Sequence, residues 1–154
     1  MTIVSAICNS FKQEILIEGH NFTNGTDSFK LSLYSSDSAT LSKSTTAYTA
    51  PADGTADPTN TYEVTSTSSG YTTGGNALTS TTPVLSGDSA CCKFANTSFT
   101  SASFTARGCL IYNSTNSNKA VCVVNFGADK TVTSGTFTIE FPAQTAGNAI
   151  IQIA

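Results

Sequence analysis

The run TARGCLIY at residues 105–112, followed by KAVCVVNF at residues 119–126, decides the fold. Both runs are short, apolar and rich in β-branched or aromatic residues, which is typical of buried β-strands. The six polar residues 113–118 between them predict a turn. We therefore expect the two runs to pair as the arms of an antiparallel hairpin.

Clear strands flank this hairpin on both sides. Residues 28–34 alternate between apolar and polar side chains, which predicts a strand with one buried face. Residues 136–141 (TFTIEF) alternate in the same way, after a predicted turn at 127–130. The last apolar run, 149–153, is predicted to be inserted in a sheet, because an apolar strand with a free edge invites aggregation.

Weaker strand patterns occur at residues 62–67, 77–85 and 90–94. Together with the clear strands they give about eight, separated by turn residues. This spacing predicts an all-β fold, an antiparallel β-sandwich, jelly roll or barrel. The length of 154 residues fits one domain, which we assign to residues 1–154.

Two segments depart from the strand pattern. Ile7, Phe11 and Ile15 are spaced four apart, so residues 9–18 are predicted to form one short helix, with Gly19 in the left-handed position after it. Residues 35–60 are rich in Ser, Thr, Ala and turn residues, and predict a long loop. Because such loops are usually functional, this one is expected to be an arm that reaches a neighbouring subunit.

Composition limits the classes of partner. Charged residues make up only 11% of the chain, and the net charge is −3. The seven basic residues are scattered, which disfavours nucleic-acid binding. No run is long enough to cross a membrane, and the apolar start at residues 1–8 lacks the basic region of a secretory signal. We therefore expect synthesis in the cytosol, and no membrane or nucleic-acid partner.

The search for chemistry finds no site. The one histidine, His20, is expected to be a surface residue of a turn, and Cys109 lies in the middle of an apolar strand. Of the acidic residues, Asp27, Asp53, Asp88 and Asp129 stand in turn contexts, and no calcium loop or zinc-ligand spacing occurs. We expect neither catalysis nor a metal or other cofactor.

The cysteines are expected to be buried thiols that pack as small hydrophobes. Their number is odd and no CxxC motif is present, which disfavours a disulfide framework. They stand at Cys8, Cys91, Cys92, Cys109 and Cys122.

The one arginine, Arg107, interrupts an otherwise apolar strand. A charge at such a place is expected to be paired at an interface. Asp129 and Glu140 are its candidate acidic partners.

Several segments resemble small virion proteins of tailed bacteriophages, and the resemblance spans most of the chain except the long loop. The segments are NSFKQE at 9–14, FKLSLY at 29–34, GYTTGG at 70–75, FTARGCLIYN at 104–113 and VNFGADKT at 124–131. The resemblance implies a structural protein of the virion, assembled in the host cytoplasm, with no catalytic residues.

Within that class, we expect a capsid decoration or cement protein that binds the major capsid protein and copies of itself. The expected contacts are Phe11 in the N-terminal segment, Tyr48 and Pro51 in the long loop, and Arg107. The alternatives are a tail-tube, baseplate or fibre-associated component, and a carbohydrate-binding or adhesin module. The last is disfavoured because the chain has no Trp and only five Tyr to stack on sugar rings.

Overall fold

Two very long, paired strands form the centre of the fold. The computed structural model describes residues 3–35, 39–51, 62–65 and 68–154. In chain order, its elements are β1 (Ala6–Ile7), α1 (Asn9–Glu14), a 3-10 helix (Ile15–Ile17), β2 (Phe29–Tyr34), β3 (Asn76–Leu78), β4 (Val84–Ser86), β5 (Ser89–Cys92), β6 (Thr97–Asn113), β7 (Lys119–Ile139) and β8 (Ile151–Ile153).

The strands form two antiparallel sheets. The larger sheet has the order β1-β7-β6-β2-β3, and the smaller has the order β4-β5-β8. The predicted all-β fold of about eight strands with one short N-terminal helix is confirmed. Buried side chains of both sheets, among them Phe29 and Leu31 of the larger and Cys92 and Ile151 of the smaller, belong to one hydrophobic cluster.

The predicted hairpin is confirmed, but the predicted turn at residues 127–130 is wrong. Strand β7 continues through it, and the extra residues form a bulge. Ala106 pairs with Lys130 and Gly108 pairs with Asn125, so Arg107 alone stands opposite residues 126–129. Gly127 provides the required left-handed conformation there, with a φ of 77°.

The bulge and further register shifts bend the β6–β7 ribbon back on itself. The rings of Phe126 and Phe137 lie only 6.3 Å apart between centroids. A straight strand would separate these two residues by about 36 Å. The outer half of the ribbon therefore forms a second layer over the core, where Phe99 and Phe104 pack edge to face.

The predicted half-buried character of β2 is wrong, because both of its faces are covered. Ser32 and Tyr34, on the face predicted to be polar and exposed, are 0% and 4% exposed. The described part of the long loop, residues 39–51, lies over this face. Tyr48 of the loop stacks on Tyr112 of β6 with ring centroids 4.5 Å apart.

Residues 39–51 of the long loop are hydrogen-bonded to their own chain, and the expectation that the loop reaches a neighbouring subunit stays a prediction. The Val4 amide donates to the Leu41 carbonyl at 2.9 Å, and the Tyr48 amide donates to the Asn118 carbonyl at 2.9 Å. The rest of the predicted loop, at 36–38 and 52–60, lies outside the described residues.

The N-terminal helix is shorter than predicted. It tightens into the 3-10 helix after Glu14, and Glu18, not Gly19, takes the left-handed conformation, with a φ of 58°. Gly19 instead lets the chain pass close to the end of the helix. A Cβ at this position would stand only 2.8 Å from the Glu14 carbonyl oxygen.

Three strand predictions change in extent. The segment 77–85 is divided between β3 and β4, and the final strand is limited to β8. Of the predicted strand at 62–67, only an isolated bridge between Glu63 and Tyr34 is formed, and residues 66–67 lie outside the described part of the chain.

We expect Gly75→Ala to destabilise the fold far more than Gly25→Ala. Both glycines have positive φ, of 74° and 81°, so each substitution costs about 1–2 kcal/mol in backbone strain. A Cβ at Gly75 would also collide with the Leu31 backbone carbonyl, whereas nothing lies within 4 Å at Gly25. Urea unfolding of both variants measures the difference. Equal losses of stability would contradict the tight packing of this turn on β2.

Candidate protein-binding site

The four predicted contact residues do not form one surface. Phe11 and Tyr48 are 3% and 8% exposed, and Pro51 is also buried. These three side chains pack mainly inside their own chain, and their role as contacts to a partner stays a prediction. Only Arg107 remains partly accessible, with 24% of its side chain exposed.

Arg107 forms an ion pair with one of its two predicted partners. Its Nη1 lies 3.4 Å from Oδ1 of Asp129, whose side chain is 63% exposed. An ion pair this accessible contributes at most about 1 kcal/mol to stability. It joins β6 to the bulge of β7 within the chain.

His20 is buried, which corrects its prediction as a surface residue. Its Nε2 lies 2.8 Å from Oε2 of Glu14, and its Nδ1 lies 3.2 Å from Nδ2 of Asn113. The Asn113 amide also donates to Asp27 at 2.7 Å, and its carbonyl oxygen accepts the Thr115 amide at 3.1 Å. Both ring nitrogens are thus occupied, and the cluster braces the helix against the hairpin turn.

A second buried polar cluster surrounds Glu63, which is fully buried. Its carboxylate accepts hydrogen bonds from the Tyr71 hydroxyl at 2.7 Å, the Gly74 amide at 2.7 Å and the Tyr48 hydroxyl at 3.0 Å. The Tyr112 hydroxyl donates to the Gly74 carbonyl at 2.8 Å. These bonds tie two loops to the sheet. No sequence motif marks this cluster, since its members come from four distant segments.

The cysteines are free and buried, as predicted. Burial raises the pKa of Cys8 to about 11 and the pKa values of Cys92 and Cys109 to about 12. The pKa of Cys122 is raised well above its ordinary value by the same cause. At neutral pH these four are unreactive thiols. Within the described parts of the chain, no group of three or more His, Cys, Asp or Glu residues could hold a metal ion.

One accessible feature with the form of a binding site is an apolar cleft on the inside of the bent β6–β7 ribbon. It has a volume of about 420 Å³. One wall comes from the inner half of the ribbon and the other from its outer half. The walls contain Cys109, Ile111, Val124, Phe126, Phe137, Ile139 and Phe141, and the polar residues are Lys130, Thr138 and Glu140.

The free edge of β7 runs along this cleft. Strand β1 pairs with β7 only at Cys122 and Val123, and no described strand pairs with the outer edge beyond that point. At the start of this edge the Asn125 amide donates to the Ser5 hydroxyl and the Gly127 amide to the Asn125 side chain, so another strand can add farther along it. Phe126 and Phe137 are half-buried beside it. The arrangement offers main-chain hydrogen bonds together with an apolar pocket for side chains.

Comparisons with known proteins find no match to this chain among family models, curated proteins or solved structures. Among the helices of the described residues, none has the length and apolar character needed to span a bilayer.

We expect stability to fall as the pH rises above the ordinary thiol and phenol pKa values of 9.0 and 10.0. Burial raises the pKa values of Tyr34, Tyr48, Tyr71 and Tyr112 well above that range. The unfolded chain therefore loses these protons first, so alkali favours it. Circular dichroism and tyrosinate absorbance, followed together, should change together. Ionisation of these four phenols near pH 10 in a folded chain would contradict their burial.

We expect Glu63→Gln to lower the free energy of unfolding by about 1–3 kcal/mol. The substitution replaces one acceptor oxygen with an NH2 group. A hydroxyl or amide donor that now bonds that oxygen would lose its acceptor inside the protein, where solvent does not reach it. Glu140→Gln, at an exposed position, is the matched control and should leave stability unchanged. Urea unfolding compares the two, and equal stability would mean that the Glu63 cluster does not hold the loops.

Proposed function

We propose that this chain is a structural protein of a phage particle, of the capsid decoration or cement type, which binds the major capsid protein. The observation that carries the proposal is the apolar cleft beside the free edge of β7. A structural protein of an assembled shell needs a site for a neighbour's chain, and this cleft has the required form. The resemblance to virion proteins supports the same conclusion, because two of its segments, at 104–113 and 124–131, lie in the ribbon that forms the cleft.

The mechanism is strand addition. An extended segment of the shell protein pairs with the outer edge of β7, and one or more of its apolar side chains enter the cleft. Burial of a single Leu, Ile or Phe side chain contributes about 1.5–3 kcal/mol. The segment is available to the cleft only in the assembled shell. Binding of this chain therefore stabilises the assembled shell over its free subunits by mass action.

A tail component is the second candidate, since the same cleft serves any extended partner. Mass spectrometry of separately purified heads and tails decides between the two locations. The carbohydrate-binding alternative is weaker, because four of the five tyrosines, Tyr34, Tyr48, Tyr71 and Tyr112, are buried and cannot stack on a sugar.

We expect Thr138→Lys to abolish binding to shells that lack this chain. Thr138 lies at the cleft, where the added segment is held, so a lysine there places a charge beside the apolar pocket, whereas Thr131 lies on the same edge away from that pocket. The matched control is Thr131→Lys, on the same strand but outside the cleft. Each threonine is exposed and bonds a hydroxyl across to β6, at 2.9 Å for Thr138 and 2.8 Å for Thr131.

Co-sedimentation of each variant with shells measures binding, and thermal release of the shell contents measures stabilisation. Binding by the wild type and by Thr131→Lys, but not by Thr138→Lys, supports the proposal. Failure of the wild type to bind shells would overturn the cement function. Equal binding by all three proteins would overturn the assignment of the cleft.

A further inference from the structure

One exposed turn, which precedes β2, brings together two groups that can react with each other. The turn consists of residues 23–26 and is closed by the Thr26 amide, which donates to the Thr23 carbonyl at 3.0 Å. Its two central residues, Asn24 and Gly25, are both exposed. They are the one Asn–Gly pair in the sequence. Residues 23–26 are called the Asn24 turn below.

An asparagine that is followed by glycine can lose its side-chain amide through attack by its own main chain. The next main-chain nitrogen gives its proton to hydroxide and attacks the asparagine Cγ, which is least hindered when that next residue has no Cβ. The new C–N bond closes a five-membered imide, while the bond from Cγ to Nδ2 breaks. The side-chain nitrogen takes a proton from water and leaves as ammonia.

Water then opens the imide at one of its two carbonyl carbons. Opening at Cγ gives aspartate with the main chain unchanged. Opening at the main-chain carbonyl gives isoaspartate, in which the chain continues through the former side chain. The sum of the steps is that asparagine and one water become an acid and ammonia, so water is the co-reactant that the chemistry needs.

The Asn24 turn leaves both reacting groups free. The Gly25 N–H belongs to the central peptide, which takes no part in the bond that closes a turn, and no residue in the described ranges accepts it. Asn24 donates to Thr82 Oγ1 at 3.5 Å through its main-chain amide, but its side chain bonds no described residue. A Cβ at Gly25 would have nothing within 4 Å, so the space around the reacting atoms is open.

Other asparagines are held in place by hydrogen bonds. Asn113 is buried, and both ends of its side-chain amide are bonded, as described above. Asn148 lies in an exposed turn, but its Nδ2 donates to Thr145 Oγ1 at 3.1 Å. The next main-chain amide, that of Ala149, donates to the Thr145 carbonyl at 3.0 Å. Both groups that would react at Asn148 are therefore engaged.

We propose that Asn24 is a site of spontaneous deamidation in the folded chain, at a rate set by the free Gly25 amide. Each event adds one negative charge to a chain whose net charge is −3. The isoaspartate product also adds one carbon to the main chain inside the Asn24 turn. Because the reaction needs only water, the modification accumulates with time and marks the older copies of the chain.

The site is independent of the proposed function. Asn24 and Gly25 do not line the cleft, and they lie outside the β6–β7 ribbon that forms it. A chain that fails to bind shells would still be modified at Asn24, and a chain that is not modified would still present the cleft. The two proposals therefore fail separately.

Peptide mapping of the folded chain tests the site. The purified protein is incubated in buffers from neutral pH to the onset of alkaline unfolding, and the tryptic peptide 13–30 is then sequenced by mass spectrometry. We expect aspartate and isoaspartate at position 24, formed faster than at every other asparagine and faster at higher pH. The variant Asn24→Gln should lose the modification of this peptide and the accompanying acidic form in isoelectric focusing.

Ala149→Gly is the matched control, because it creates a second Asn–Gly pair in a turn where the reacting groups are bonded. In the folded variant, we expect Asn148 to react more slowly than Asn24. In urea, where both turns are unfolded, the two asparagines should react at equal rates. The comparison separates the effect of the structure from that of the dipeptide sequence.

Two results would overturn the inference. The first is an Asn24 that keeps its amide in the folded chain while it is converted in urea, since the turn would then protect the site. The second is an Asn148 that reacts as fast as Asn24 in folded Ala149→Gly, since the free Gly25 amide would then not set the rate.

Discussion

The pairing of β6 with β7, interrupted by a bulge opposite Arg107, is the constraint on which the rest of the structure depends. The two strands hold the larger sheet together, and the bend that follows the bulge returns the outer half of the ribbon over the core. The cleft exists because the ribbon bends there and no third segment of the described residues lies between its walls. A regular ribbon of the same length would have continued into solvent, with Phe137 and Ile139 having nothing to pack against.

The sequence predicts the parts of this fold that depend on local pattern. Alternation identified β2, and the apolar runs identified the paired arms of the hairpin. The turn residues at 127–130 were interpreted as the end of a strand, but in the structure they form a bulge. Glycine and aspartate occur both in turns that end a strand and in bulges. A bulge forms here because β6 continues alongside β7, and the local sequence pattern does not contain that information.

The errors in burial have one physical origin, which is contact between segments far apart in sequence. The outer face of β2 has a polar pattern, yet Tyr48 and the rest of the described loop cover it. His20 is buried because Glu14 and Asn113 surround it, and Asn113 lies far along the chain. Phe11, a predicted contact residue, is buried for the same reason: large aromatic side chains occur in both interfaces and cores, and Phe11 packs in the core.

Several ionisable groups are held inside the fold. His20 and Glu63 are buried and hydrogen-bonded, and burial raises the pKa values of Cys8, Cys92, Cys109 and Cys122. The described surface also has an apolar cleft beside a strand edge, with Lys130 and Glu140 as its charged residues. Burial of such surfaces against neighbours recovers hydrophobic free energy that the isolated chain forgoes. A low charge, which leaves a free monomer with weak protection against association, is then suited to a chain that acts in an assembly.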